Sequence, residues 1–269
     1  MASGSKLRRN FTKSRLSSLE MESKVLNLAQ PIIDVPMHLT DLVEDIDPGY
    51  YESPLLGDNA TKQITGGSKF LPDDSFMAED AFVIASKDHR TLKDVATSIK
   101  FLKAGPYKNI HFNVDEVRAA IVTCGGLCPG LNTVIREIVM SLHFSYEVKK
   151  IYGIRWGYKG FYTDTDKNWI KLTPGVVSEI HKSGGTFLGS SRGGFNGEED
   201  GYKILNELRK RKVNQVYIIG GDGTHRGIFN LTRLAEREGL EIAFAGIPKT
   251  IDNDIPLIDS SFGFASSVE

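Results

Sequence analysis

From Ala119 onward the chain alternates short apolar runs with longer stretches whose apolar residues recur at helical spacing. Ala119–Cys124 is one such run, closed by Gly125-Gly126, and Leu131–His143 follows with Val134, Ile135, Ile138 and Leu142 on one face. That succession predicts strand, glycine turn, helix. Lys150–Ile154, Gln215–Ile219 and Ile242–Ile247 are further candidate strands, each bounded by glycine or proline. Pro174–His181, Glu199–Lys210 and Arg226–Glu236 are further candidate helices, and Ile204, Leu205 and Leu208 give the second of these an inward stripe. The alternation predicts an α/β fold, a Rossmann-like parallel sheet sandwiched by helices, with ligands at the carboxyl ends of its strands.

The first hundred residues have another texture. Residues 1–19 carry Lys6, Arg8, Arg9, Lys13 and Arg15 without an acid, whereas residues 31–61 hold seven carboxylates and no Lys or Arg. Charge blocks of this kind, punctuated by Pro31, Pro36, Pro48 and Pro54, predict a loosely structured leader over 1–108. Short helical pieces within Ala78–Ala104 are expected to lie over the domain at 109–269. The Ser- and Arg-containing start fits either a disordered cytosolic tail or a plastid transit peptide, so the expected location is cytoplasmic, with the plastid stroma as the alternative.

Composition narrows the function classes. The 269 residues carry 33 basic and 34 acidic side chains. This balance lacks the broad basic footprint of a nucleic-acid binder, and no apolar window is long enough for a spanning helix, so neither nucleic acid nor membrane is expected as a partner. Two cysteines cannot build a disulfide framework, which favours a reducing compartment, and the sequons at Asn10, Asn59 and Asn230 carry little weight there. Cys124 and Cys128, spaced C-x3-C, match neither a redox dithiol nor a usual zinc pair and read as buried inert thiols.

Three unusual segments each follow a candidate strand. Gly125–Asn132 reads Gly-Gly-Leu-Cys-Pro-Gly-Leu-Asn; its glycines serve either a tight strand-to-helix turn or the approach of backbone amides to an anion, beside the amino end of a helix. No G-x-x-x-x-G-K-[ST] occurs, so a Walker-type loop is excluded. Gly220–His225 places Asp222 between glycines, a form suited to Mg2+ against a polyphosphate, or to a plain turn in which Asp222 and Thr224 act as caps. His225 reads as a surface or cap residue. Pro248–Pro256 puts Asp252 and Asp254 two apart beside Lys249; in an extended strand they would share a face, which suggests metal or cationic compensation, and a solvated acidic turn is the alternative.

Taken together, these residues resemble the phosphofructokinase family. The resemblance rests on Gly125–Asn132, on Gly184–Arg192 (Gly-Gly-Thr-Phe-Leu-Gly-Ser-Ser-Arg), on Gly220–Thr224 and on Pro248–Asp254 (Pro-Lys-Thr-Ile-Asp-Asn-Asp), with Gly153–Phe161 similar to the family's glycine-rich connection. The acidic leader and Lys249 resemble the plant ATP-dependent branch in particular. The resemblance implies an ATP-dependent 6-phosphofructokinase of glycolysis, which moves the terminal phosphoryl group of ATP to the 1-hydroxyl of fructose 6-phosphate with Mg2+. It implies that Asp252 is the general base, that Thr250 and Ile251 position the sugar, and that Asp222 acts on the metal. Gly126, Gly193, Gly221, Gly223 and Thr224 would line the donor phosphates, Arg192 would bridge them, and Lys249 would add a cation on the acceptor side that keeps Asp252 ionised.

In that family glycine at the position of Gly223 goes with ATP and aspartate with pyrophosphate, so Gly223 implies ATP; Lys249, shared with pyrophosphate-dependent members, pulls the other way. Lipid and NAD kinases also carry Gly-Gly-Asp-Gly-Thr but lack the Pro248–Asp254 segment and the Arg192 loop. At the end of the chain Ser261-Phe262-Gly263-Phe264 follows the family, but Ala265-Ser266 departs from its Asp-Thr. The chain reads as an amino-terminal portion of the subunit, with most of the sugar-phosphate grip supplied by a second half. It is therefore expected to be inactive alone, or to be a silent regulatory form, whereas the full-length form would be a homo-oligomer with effector control.

Overall fold

The computed structural model describes residues 51–54, 76–78, 100–102, 107, 109–253 and 260–269, all within the unit Leu39–Glu269. Its centre is a five-stranded sheet of order β7-β6-β5-β8-β9. The strands are β5 (Arg118–Thr123), β6 (Lys150–Ile154), β7 (Trp169–Leu172), β8 (Gln215–Gly220) and β9 (Ala243–Pro248). Two small antiparallel pairs lie outside it: β1 (Tyr51–Glu52) with β4 (Asn109–Ile110), and β2 (Phe76–Ala78) with β3 (Lys100–Leu102). The helices are α1 (Leu131–Met140), α2 (Thr165–Asn168), α3 (Pro174–Val177), α4 (Glu198–Arg211), α5 (Asp222–Arg237) and α6 (Phe264–Val268). Among the described residues no helix is long and apolar enough to cross a membrane.

The four predicted strands are present and parallel to one another. β5 is buried along nearly its whole length because it is covered on both faces: Ala120 and Val122 face one core, Ala119 and Ile121 the other. The first core is closed by Ile204, Leu205 and Leu208 of α4 with Ile228, Leu231 and Leu234 of α5. The second is closed by Leu131, Ile135 and Val139 of α1 with Val177 of α3. The stripe read on α4 is thus its buried face, and the helix is further matched to its dipole by Glu198, Glu199 and Asp200 at the start and Arg209, Lys210 and Arg211 at the end.

The wholly parallel sheet needs one correction. β7 runs antiparallel to β6, with Ile154 opposite Trp169 and Ile151 opposite Leu172. The chain between them returns at the same end of the sheet through a 3-10 turn (Gly157–Phe161) and α2, so no crossover helix is required. A four-residue strand offers too short a period to announce itself in sequence. Its buried Trp169 is fixed by the indole N–H donating to the Phe161 carbonyl at 3.0 Å.

Other boundaries shift for local reasons. The helix expected over Leu131–His143 stops at Met140 and loosens into a π turn over Ser141–Ser145. The helix expected over Pro174–His181 is α3 followed by a 3-10 turn at Ile180–Lys182. Where short helical pieces were expected within Ala78–Ala104, Lys100–Leu102 is a strand, and residues 79–99 lie outside the described residues.

Candidate active site

The three unusual segments meet at the carboxyl ends of β5, β8 and β9, bound to one another by backbone hydrogen bonds. Cys124 N–H donates to the Ile219 carbonyl at 2.8 Å, and Lys249 N–H to the Gly220 carbonyl at 3.0 Å. The loop carrying Arg192 is tied to the first glycine turn from both sides: Gly125 N–H donates to the Ser191 carbonyl at 3.0 Å, and the Ser190 hydroxyl to the Gly125 carbonyl at 2.7 Å. Gly126, Arg192 and Gly193 are exposed on this rim.

The turn after β8 is built by exclusion. A Cβ on Gly220 would come 2.3 Å from Thr224 Oγ1, so only glycine lets the strand end pack on the first turn of α5. At Gly223 the same added atom meets nothing within 4 Å. Helix α5 starts at Asp222, four residues before the expected Arg226, with Gly221 as its cap and no capping side chain. Thr224 is therefore inside the first turn and does not cap it. Its side chain is buried, and its carbonyl accepts the Tyr158 hydroxyl at 2.7 Å. Asp222 and Gly223 are exposed, at the end where the helix dipole favours negative charge.

After β9 the chain is folded by its own hydroxyls. Asp252 N–H donates to Thr250 Oγ1 at 3.0 Å, Ser261 Oγ to the Thr250 carbonyl at 2.6 Å, and Ser261 N–H to Asn253 Oδ1 at 2.7 Å. Asn253 takes a left-handed backbone, φ +53°. This clasp leaves Ile251 and Asp252 exposed and Thr250 half-buried. Asp254, the expected neighbour on the same face, lies outside the described residues. The clasp also reaches the first loop, because the Cys128 thiol donates to the Phe262 carbonyl at 3.1 Å.

Lys249 is the buried cation of the cluster, 7% exposed. Its Nζ stands 4.0 Å from where a Cβ on Gly125 would be. The ammonium thus sits at the first glycine turn, and among the described residues no carboxylate pairs with it. Burial lowers its pKa below the ordinary 10.5, the nearby Cys128 and Cys124 thiols acting in the opposite sense. Both cysteines are buried and free, as the spacing predicted, and burial pushes the Cys124 thiol up to about 12. Such a thiol is inert at neutral pH.

A depressed lysine pKa has a stability consequence with a definite sign. Between the folded pKa and 10.5 the unfolded chain binds the proton more tightly, so stability rises with pH across that window, and the burial cost is fully present below it. Lys249→Met removes the cost. Its melting temperature at pH 7 is expected to rise by ~2–4 °C, about 1 kcal/mol for a domain of this size, and the gain to shrink as the pH approaches 10.5. Thermal melts at neutral and alkaline pH check this; a destabilised Met variant at pH 7 would show that the ammonium is compensated.

Among the described residues no three His, Cys, Asp or Glu side chains are grouped to hold a metal ion. Asp222 is the exposed carboxylate at the amino end of α5. That fits an ion held mainly by donor phosphates and water with one protein carboxylate, the usual manner of Mg2+ at phosphate sites.

Sequence reasoning passed over the residues that hold the loops in place. Ser190 and Ser191 sit inside a motif valued for Arg192, Ser261 lies in the chain's last stretch, and Tyr158 lies in the glycine-rich connection; only proximity to the motifs could have signalled them.

The motif-bearing loops thus gather at the carboxyl ends of the strands of an α/β sheet, and comparison with known proteins gives the chain's family. The Phosphofructokinase family model matches residues 118–269, more than half of the chain, which belongs to that family. Within it the chain falls in the plant ATP-dependent 6-phosphofructokinase branch. It is 48% identical over 236 residues to ATP-dependent 6-phosphofructokinase 7 of Arabidopsis thaliana, covering 88% of this chain and 44% of that protein. It is 47% identical to ATP-dependent 6-phosphofructokinase 4, chloroplastic, of the same plant, covering 88% and 41%. The chain thus spans less than half the length of these relatives. The Pichia pastoris phosphofructokinase structure in the T-state shares the fold, with a TM-score of 0.51 at 22% identity over 62% of this chain and 20% of that one.

Proposed function

We propose that this chain carries the phosphoryl-donor site of an ATP-dependent 6-phosphofructokinase, which transfers the terminal phosphoryl group of ATP to the 1-hydroxyl of fructose 6-phosphate in glycolysis. The observation that carries the ATP reading is the open space at Gly223, exposed at the amino end of α5, where a nucleotide can pass beyond its phosphates. The names of the Arabidopsis relatives, both ATP-dependent 6-phosphofructokinases, support the same donor.

In this reading the amides of the Gly220–Gly223 turn and Gly126 face the donor phosphates, with Arg192 and Lys249 supplying positive charge from either side of the first glycine turn. Gly193 and Gly221 complete the wall, and Thr224 supports it from beneath, its side chain buried, its N–H on the Gly221 carbonyl and its carbonyl on the Tyr158 hydroxyl. Asp252, exposed at the tip of the clasp, accepts the proton of the sugar 1-hydroxyl as that oxygen forms a bond to the terminal phosphorus and ADP leaves; Thr250 and Ile251 position the sugar end. Mg2+, when bound with ATP, would neutralise charge on the transferring group, and Asp222 would hold it. On the donor side Asp222 and Gly223 open a helix and the Arg192 loop is hydrogen-bonded to Gly125 from both sides, whereas on the acceptor side the described residues offer the Thr250–Asp252 corner. Residues 1–269 by themselves are therefore expected to bind ATP without appreciable turnover, since in-line transfer needs both partners fixed.

A subunit of the relatives' full length that includes this chain is further proposed to be a homo-oligomer, in the cytoplasm or the plastid, one similar relative being named chloroplastic. Measuring fructose 1,6-bisphosphate formation by such a subunit with ATP and with pyrophosphate tests the donor. ATP is expected to be preferred. A preference for pyrophosphate would support the reading that Lys249 favours and overturn this one.

A further inference from the structure

Next to the donor turn stands an imidazole with one nitrogen engaged and one buried without a partner among the described residues. His225 Nδ1 lies 3.0 Å from the Gly221 carbonyl. A carbonyl only accepts, so Nδ1 carries the proton of this bond. Nε2 is buried and has no hydrogen-bond partner among the described residues. It packs against β9, where a Cβ on Gly246 would come 2.8 Å from both Nε2 and Cδ2 and 3.0 Å from Ile228 Cδ1. The imidazole therefore occupies space that only a glycine at 246 leaves free.

The bonded carbonyl is the one that decides the shape of the turn. Gly221 caps α5, and its oxygen also accepts from Thr224 N–H at 2.9 Å and His225 N–H at 3.1 Å. Three donors converge on one oxygen. They hold the negative end of the Gly221–Asp222 peptide back into the helix, so that the Asp222 and Gly223 amides point outward at the exposed end. Without the third donor the carbonyl keeps its two backbone bonds in the helix's first turn, where fraying is easiest, but is held less firmly, and any excursion of its lone pairs toward a polyphosphate would repel it.

We propose that His225 is a positioning residue for the phosphoryl donor: its Nδ1–H fixes the Gly221 carbonyl, and through it sets the Asp222–Gly223 amides for ATP. This deepens the donor-site reading above and rests on it. His225 does not touch the reacting atoms in this account, and Gly246 is its counterpart on the neighbouring strand.

The test separates a hydrogen bond from mere packing. In asparagine the side-chain amide nitrogen stands where Nδ1 does, so His225→Asn keeps the donor, whereas His225→Leu fills similar space without it. Calorimetric titration of the 269-residue chain with Mg2+–ATP is expected to show His225→Asn within about threefold of the unsubstituted chain and His225→Leu weakened at least tenfold. Gly246→Ala, which displaces the ring, should weaken binding in the same way. A folded His225→Leu chain that binds ATP as tightly as the unsubstituted one overturns the proposal, as does equal weakening in the Asn and Leu variants. Long-range 15N–1H spectra of the unsubstituted chain give a readout that needs neither ligand nor variant: a proton on Nδ1 is expected, and its absence overturns the proposal even if His225→Leu fails to fold. If the unsubstituted chain itself does not bind ATP, the donor-site reading fails and the role of His225 with it, while the spectra still decide whether the bond exists.

Discussion

Asp252→Asn is expected to lower kcat at least ~100-fold with little change in KM for either substrate, in a subunit of full family length carrying this chain. The substitution is nearly isosteric and removes only the proton acceptor. The structure gives reason to expect the fold to be indifferent. Asp252 is exposed, and the loop around it is held by the Thr250 hydroxyl on the Asp252 N–H, by Ser261 on the Thr250 carbonyl and by Asn253 on the Ser261 N–H. The carboxylate itself appears in none of these bonds. An unchanged melting temperature with collapsed kcat is thus the expected pair of results, and a retained kcat would move the base role elsewhere, first to Asp254.

Gly223→Asp is expected to reduce ATP use at least tenfold, about 1.4 kcal/mol in transition-state terms. Two effects add: the carboxylate fills the passage beyond the phosphates, and it places negative charge beside them. What makes the experiment clean is that Gly223 is not glycine for packing reasons, since an added Cβ meets nothing within 4 Å. Gly223→Ala should therefore fold at least as well as the parent, alanine being the better helix former by about 0.5–1 kcal/mol. Gly220→Ala offers the contrast, because its Cβ would collide with Thr224 at 2.3 Å and the fold should suffer. If Gly223→Asp left ATP kinetics untouched, the donor would have to enter by another route.

Much of this arrangement was legible from residue pattern, for identifiable reasons. Strands covered on both faces read as apolar runs, which is why β5, β6, β8 and β9 were found within two residues at their ends. The amphipathic α4 showed its stripe because a helix on a sheet has one dry face. β7 escaped because four residues carry almost no period, and its antiparallel sense depends on a return loop that no local rule encodes. Helix α5 began earlier than expected because Gly-Asp-Gly looks like a turn; the amides of Thr224 and His225 closing on the Gly221 carbonyl make it a helix.

The motif residues could be named from sequence, but their supports could not. The resemblance made Lys249 an acceptor-side cation near Asp252, and sequence alone carried no sign of where its side chain lies. The end of β9 directs its ammonium to Gly125, across β8. His225 read as a surface or cap residue because nothing in a single histidine after Gly-Asp-Gly-Thr announces a half-buried ring locked between Gly221 and Gly246. Tertiary approach, not local spacing, assigns both.

The proposed nucleotide-donor site lies at the carboxyl ends of β5, β8 and β9, with Gly223 as its gate. Equilibrium titration of the 269-residue chain and its Gly223→Asp variant with ATP and with pyrophosphate, with and without Mg2+, tests it most directly. Saturable ATP binding that Mg2+ strengthens and Gly223→Asp weakens at least tenfold is expected. Tighter binding of pyrophosphate than of ATP by the unsubstituted chain, or ATP affinity unchanged in the Gly223→Asp variant, would contradict it.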